Sequence, residues 1–155
     1  MDKERIQLEQ SLNIAIKDVI QTMTGLYIEE NTYKENSTVK GEISGVMIIT
    51  GEKNALMSLT MSKEVASLII GYMTGNLPSD LSDEEVYDGA AELINMIAGR
   101  TKALLTGKKY YFNLTPPFAI VGDKHFILHK NKILKIMKSY SIEGKELLLQ
   151  VYYID

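Results

Sequence analysis

The chain has 155 residues, 45% of them hydrophobic, with a formal net charge of −3 and a pI near 5.5; this suits one domain, 1–155, whose core needs no staples and leaves no basic field for nucleic acid or anionic lipid. It contains no cysteine, which excludes disulfides, thiolate nucleophiles and cysteine-based zinc sites. The Met-Asp-Lys-Glu-Arg start has no signal-peptide core and no apolar run reaches the roughly 20 residues that span a bilayer, so a cytoplasmic, membrane-free protein is expected.

In chain order, Ile6, Leu8, Leu12, Ile16, Val19, Ile20 and Met23 recur on one helical face, which predicts an amphipathic helix over 5–23 that stops at Gly25. Residues 29–37 read as a loop or weak edge strand, and 38–43 and 45–50 as extended. Val46–Thr50, the polar Gly51-Glu-Lys-Asn54 and Ala55–Met61 form a hairpin pattern. Ser62 can cap a helix to about Thr74, where Gly75 interrupts it, and a linker with Pro78 follows. Ser82-Asp-Glu-Glu85 has the capping-box form and opens a long helix to about Leu105, with Gly107 just beyond. The remainder reads as strands at 117–121, 125–129, 133–139 and 147–154, separated by turns at Gly122-Asp-Lys and Glu143-Gly-Lys. Hairpin-length connections favour antiparallel pairing, so the expected class is α+β, an antiparallel sheet packed with helices. The order helix-plus-strands occurs over 5–61 and again over 83–154, a weak internal duplication without a repeated residue pattern.

Within the long helix, Asp88-Gly-Ala-Ala-Glu92-Leu-Ile-Asn95-Met-Ile-Ala-Gly99 is apolar except for a few positions. At about 100° per residue, Asp88, Glu92, Asn95, Gly99 and Lys102 share an arc of roughly 80°, with Glu92 and Asn95 one turn apart. The strip is either a solvated helix edge or a site. Asn and Gly cost a helix interior some tenths to about 1 kcal/mol relative to Ala. Gly99 removes bulk beside Asn95, either for close packing within the fold or for the approach of another chain. A Glu–Asn pair has no nucleophile, and an amide is no general base near neutral pH. An amide can hold a water through one donor and one acceptor and present it to an electrophile, which needs a reactive phosphoryl or acyl group and a metal supplied elsewhere.

Asp88-xxx-Glu92-xx-Asn95, followed after 21 residues by Pro117 in Leu114-Thr-Pro-Pro-Phe-Ala-Ile-Val-Gly122, resembles the CheX branch of the CheC/CheX/FliY phosphatases. The Ser62 helix and the Asp/Ser-rich linker sit in the same order, so the likeness covers most of the chain. The resemblance implies a CheC-like fold and a hydrolase that removes the aspartyl phosphate of a response-regulator receiver domain, phosphorylated CheY above all. By that likeness Asn95 would orient the attacking water in the receiver's site and Glu92 would pair with the receiver's lysine. Asp88, Met96, Gly99 and Lys102 would contact the partner. No cofactor of its own is implied, because Mg²⁺ would belong to the receiver. A homodimer joined at sheet edges is also implied. The apolar 147–154 run should be paired or covered in any case.

The alternative is a binding module that docks a receiver or flagellar switch protein without turnover. Hydrolysis of free acyl phosphates lacks a glycine-rich phosphate loop or an arginine clamp, since Arg100 points away from the strip. On the first helix, Glu9 and Asn13 are four apart and Gln10-xx-Asn13 lacks the carboxylate, so one site per chain is expected, with Asn13 on a solvated face. His125 and His129 lack a third ligand and read as exposed strand residues, not a metal site. Lys108-Lys-Tyr-Tyr-Phe112 reads as a loop cluster of surface and core rather than a nucleic-acid platform.

Overall fold

A computed structural model describes residues 2–32, 41–128 and 134–154. Helix α1 (Lys3–Thr24) starts at Asp2, whose carboxylate accepts from the Glu4 N–H at 3.0 Å, and ends at Gly25, whose φ of 75° only glycine adopts cheaply. Strands β1 (Glu29–Asn31), β2 (Gly41–Gly51) and β3 (Ala55–Met61) follow. Helix α2 (Lys63–Thr74) is capped by Ser62, and a 3-10 turn at Pro78–Asp80 leads to α3 (Asp83–Leu104). Its capping box is reciprocal. The Ser82 hydroxyl accepts from the Glu85 N–H at 3.1 Å, and the Glu85 carboxylate accepts from the Ser82 N–H at 3.0 Å. Strands β4 (Phe112–Leu114), β5 (Phe118–His125), β6 (Lys135–Ile142) and β7 (Lys145–Tyr153) complete the order.

All strand pairs are antiparallel, in the order β1-β6-β7-β3-β2, with β4 and β5 both on the far edge of β2. The apolar terminal strand β7 is paired on both sides, which removes the exposed edge it would otherwise present. One face of the sheet, with Ile43, Met47, Ile49, Met57, Leu59, Tyr140, Leu149 and Val151, packs on Leu8, Leu12 and Ile16 of α1, Ile69 of α2 and Leu93, Ile94 and Ile97 of α3. At roughly 1.5–3 kcal/mol per buried large side chain, this face is the main source of stability. Among the described residues no helix is long and apolar enough to cross a membrane.

The internal duplication is plain in the topology. Exchanging β1 with β5, β2 with β6 and β3 with β7 leaves every pairing but that of β4 with β2 unchanged, about an axis through the β3–β7 pair. The two long helices match as well. Leu8, Ser11, Leu12, Ala15, Ile16 and Val19 are buried in α1, and adding 82 to each number gives Ala90, Leu93, Ile94, Ile97, Ala98 and Thr101, all buried in α3.

Several predicted boundaries shift. The predicted segments 38–43 and 45–50 join into one strand from Gly41, and residues 38–40 lie outside the described set. The predicted turn at Gly122-Asp-Lys is instead part of β5, where Lys124 takes φ 55° and the register with β2 shifts between Gly41 and Ile43. A polar, glycine-containing triplet serves a bulge as well as a turn. The strand expected over 125–129 ends at His125, with Phe126–Leu128 irregular and His129 undescribed. Phe112, assigned to a loop, begins β4 and is buried against the core.

Candidate functional site

Helix α3 buries Val86, Ala90, Leu93, Ile94, Ile97, Ala98 and Thr101 against the sheet and its neighbouring helices. A close approach fixes its height: a Cβ on Gly45 of β2 would stand 2.9 Å from the Ala90 carbonyl carbon and 3.2 Å from Ile94 Cγ2, so only glycine admits the helix there. The opposite side of α3 therefore faces outward, carrying the predicted strip. Asp88 and Glu92 are exposed, and Asn95, Met96, Gly99 and Lys102 are half-buried. Residues three apart on a helix place their Cβ atoms about 5–6 Å apart, so Glu92 and Asn95 can engage one target together.

Neither the Glu92 nor the Asn95 side chain has a hydrogen bond or ion pair among the described residues. Both amide functions of Asn95 and both carboxylate oxygens of Glu92 are available to something outside the chain. Their surroundings are otherwise occupied. Arg100 donates to Asp18 of α1 at 3.2 Å, turned from the strip as expected. The Lys102 ammonium lies 5.4 Å from the centre of the Tyr111 ring, a cation–π contact that holds it at the strip's end. Met96 lines a cleft of about 330 Å³ between α1 and α3, with Val19, Thr22 and Met23 across from it.

The match between the helices places Gln10 and Asn13 of α1 where α3 has Glu92 and Asn95. This equivalence was in the sequence as an offset of 82 between two apolar patterns, but element order alone does not reveal it. Asn13 is not on a solvated face, contrary to expectation. It is half-buried, and its side-chain oxygen accepts from the hydroxyl of the fully buried Tyr140 at 3.0 Å. Burial, with a smaller contribution from the Glu30 charge, pushes the Tyr140 pKa well above its ordinary value, so the phenol stays a donor. With glutamine for glutamate and the amide oxygen engaged, α1 lacks the free pair that α3 presents.

His125 is likewise no exposed strand residue. Its Nδ1 donates to the Gly122 carbonyl at 2.7 Å and its Nε2 lies 2.7 Å from the Ser44 hydroxyl; Ser44 in turn lies 2.7 Å from Thr60. This chain of hydroxyls ties the end of β5 to β2 and β3. Among the described residues no group of three His, Asp or Glu side chains is arranged to hold a metal ion.

Among curated protein sequences none is matched by this chain. Solved structures resemble it closely. A CheC-like superfamily protein from Shewanella sp. PV-4 superposes with a TM-score of 0.86 at 24% identity, over 100% of both chains. A chemotaxis protein CheX from Desulfovibrio desulfuricans gives 0.81 at 29% identity, over 94% of this chain and 98% of that one. The CheX of a CheX–CheY–BeF₃–Mg²⁺ complex from Borrelia burgdorferi gives 0.81 at 23%, over 94% and 97%. The fold is thus CheC-like. A model of the family described as chemotaxis phosphatase CheX matches residues 43–139, a span that includes the whole of α3 and its strip, and the chain belongs to that family.

Proposed function

We propose that this chain hydrolyses the aspartyl phosphate of a CheY-like response-regulator receiver, with Asn95 orienting the water and Glu92 fixing the dock. The observation that carries this reading is the unengaged Glu92–Asn95 pair on the outward face of α3, clear of every internal hydrogen bond among the described residues. The carboxamide oxygen accepts a hydrogen bond from a water and its N–H donates to a phosphoryl oxygen, holding the water in line with the P–O bond to aspartate. Water's oxygen bonds to phosphorus, the aspartate carboxylate leaves with the bonding pair, and inorganic phosphate carries away the proton. Charge on the phosphoryl oxygens is met by the receiver's own Mg²⁺, and Glu92 pairs with the receiver's lysine. Asp88, Met96, Gly99 and Lys102 surround the contact. The CheY complex of the Borrelia burgdorferi relative supports a CheY-like partner.

The same reading includes a homodimer. Edge strand β5 exposes Phe118, Ile120 and Val121 along a backbone edge that is unpaired among the described residues, and a second copy laid antiparallel along it across a two-fold axis would cover them. Turnover is tested by mixing the protein at one-tenth the concentration of a phosphorylated receiver with its Mg²⁺. A phosphatase empties the whole pool faster than the receiver's own decay. A binding module alters at most a tenth of it, and that outcome replaces hydrolysis with docking.

A further inference from the structure

We infer that Gly99 is a positioning residue whose missing side chain is the clearance through which the docked receiver comes down beside Asn95. The inference rests on the receiver-docking reading of the strip. Glycine is among the poorest helix formers, and Gly99 sits in the interior of the 22-residue α3. Other buried or half-buried glycines are explained by their neighbours. A Cβ on Gly89 would meet Ile70 side-chain atoms at 2.6 Å, one on Gly71 the Asn76 carbonyl oxygen at 2.8 Å, and one on Gly45 the α3 backbone. At Gly99 a Cβ would meet nothing within 4 Å, and its φ is not among the positive values that favour glycine. Nothing in the described fold requires glycine there.

The chain supplies an internal control. Under the offset of 82 that superimposes the burial of α1 on that of α3, the position equivalent to Gly99 is Lys17, half-buried in the same outer stripe of the sister helix. The architecture accepts a four-carbon side chain at this point. What differs is the neighbour one turn back: Asn13 is engaged by Tyr140, whereas Asn95 is unengaged. The bare helix surface accompanies the free amide. A side chain at residue 99 would stand one turn from Asn95, on the side from which a docked partner must approach, and would hold the amide about a carbon–carbon bond length farther from its target.

The test uses full-length protein with Gly99→Ala and Gly99→Leu, and Gln10→Leu as a control for a new exposed leucine on the sister helix α1, away from the strip. Gly99→Ala is expected to raise the thermal midpoint by about 2–4 °C, the value of replacing an unneeded helical glycine. It is expected to lower turnover of the phosphorylated receiver by about 10- to 100-fold, the scale of an ångström of misplacement, with Gly99→Leu lower still and Gln10→Leu unchanged. Affinity for the receiver loaded with beryllofluoride and Mg²⁺ should fall in the same order. Wild-type turnover and affinity in both Gly99 variants would overturn the inference. Absence of turnover in the wild type overturns hydrolysis instead, and the affinity series then decides Gly99 by itself.

Discussion

Replacing Gly45 with alanine puts a methyl group against the inner side of α3, and its consequences can be worked from the packing. The new carbon would stand 2.9 Å from the Ala90 carbonyl carbon and 3.2 Å from Ile94 Cγ2, and closer still to the Ala90 oxygen. Restoring ordinary carbon–carbon separations of about 3.5 Å requires backbone to move, so α3 must lift by roughly 1 Å. Overpacking of this kind costs about 1–3 kcal/mol. For a chain of this size 2 kcal/mol lowers the thermal midpoint by about 4–8 °C. Because Glu92 and Asn95 ride on the far side of the same turns, the lift is transmitted to them, and a 1 Å misplacement lowers turnover by about 100-fold. Gly89→Ala is the comparator, since the nearest atoms to its methyl are side-chain atoms of Ile70 on α2 and not the backbone of β2. Thermal melts and receiver dephosphorylation measure both effects. An unchanged midpoint with unchanged turnover for Gly45→Ala would refute the claim that this approach sets the height of the site.

Three further outcomes follow from other parts of the fold. Asn13→Ala leaves the buried Tyr140 hydroxyl without its acceptor and should cost about 1–3 kcal/mol in denaturant unfolding, with turnover per folded molecule unchanged because the Asn13 amide oxygen is engaged inside the fold. The Ser82 backbone and side chain hold the Glu85 carboxyl below its ordinary value of 4.5, so its contribution is fully present above 4.5 and is lost as pH falls through the lowered folded value. Glu85→Gln cannot titrate. The stability advantage of the wild type over it, read by melts across pH 6 to 3, should therefore shrink below about 4.5 and not above. Ile120→Lys puts a charge on the β5 edge and should turn a dimer into a monomer by light scattering, with the melting curve of the folded subunit retained.

Sequence pattern carried the elements whose signals are local. Ser62, the Ser82–Glu85 box and Gly25 act within one turn of themselves, and each starts or ends its helix as read. The apolar 147–154 run was rightly expected to be paired. What escaped were features set by distant partners. Phe112 joins a strand because β2 offers its far edge, which no neighbour of Phe112 announces. Gly122 and Lys124 make a bulge rather than a turn because β2 continues opposite them. Asn13 and His125 looked solvated because Tyr140 and Ser44, 127 and 81 residues away in sequence, are the groups that engage them. The strip from Asp88 to Lys102 was legible because one helix carries all of it. Only the fold reveals that Glu92 and Asn95 are left unengaged among the described residues, and that Gly99 is not a packing glycine.

The central claim is that the Asn95 amide places the attacking water. The direct measurement is the decay of the phosphorylated receiver with Mg²⁺, in the presence of wild-type protein or Asn95→Ala, alongside binding of each to the beryllofluoride-loaded receiver. Asn95→Ala should lose most of the acceleration while its affinity stays close to that of the wild type, since an interaction made only in the transition state is removed. Wild-type decay with Asn95→Ala would contradict that claim.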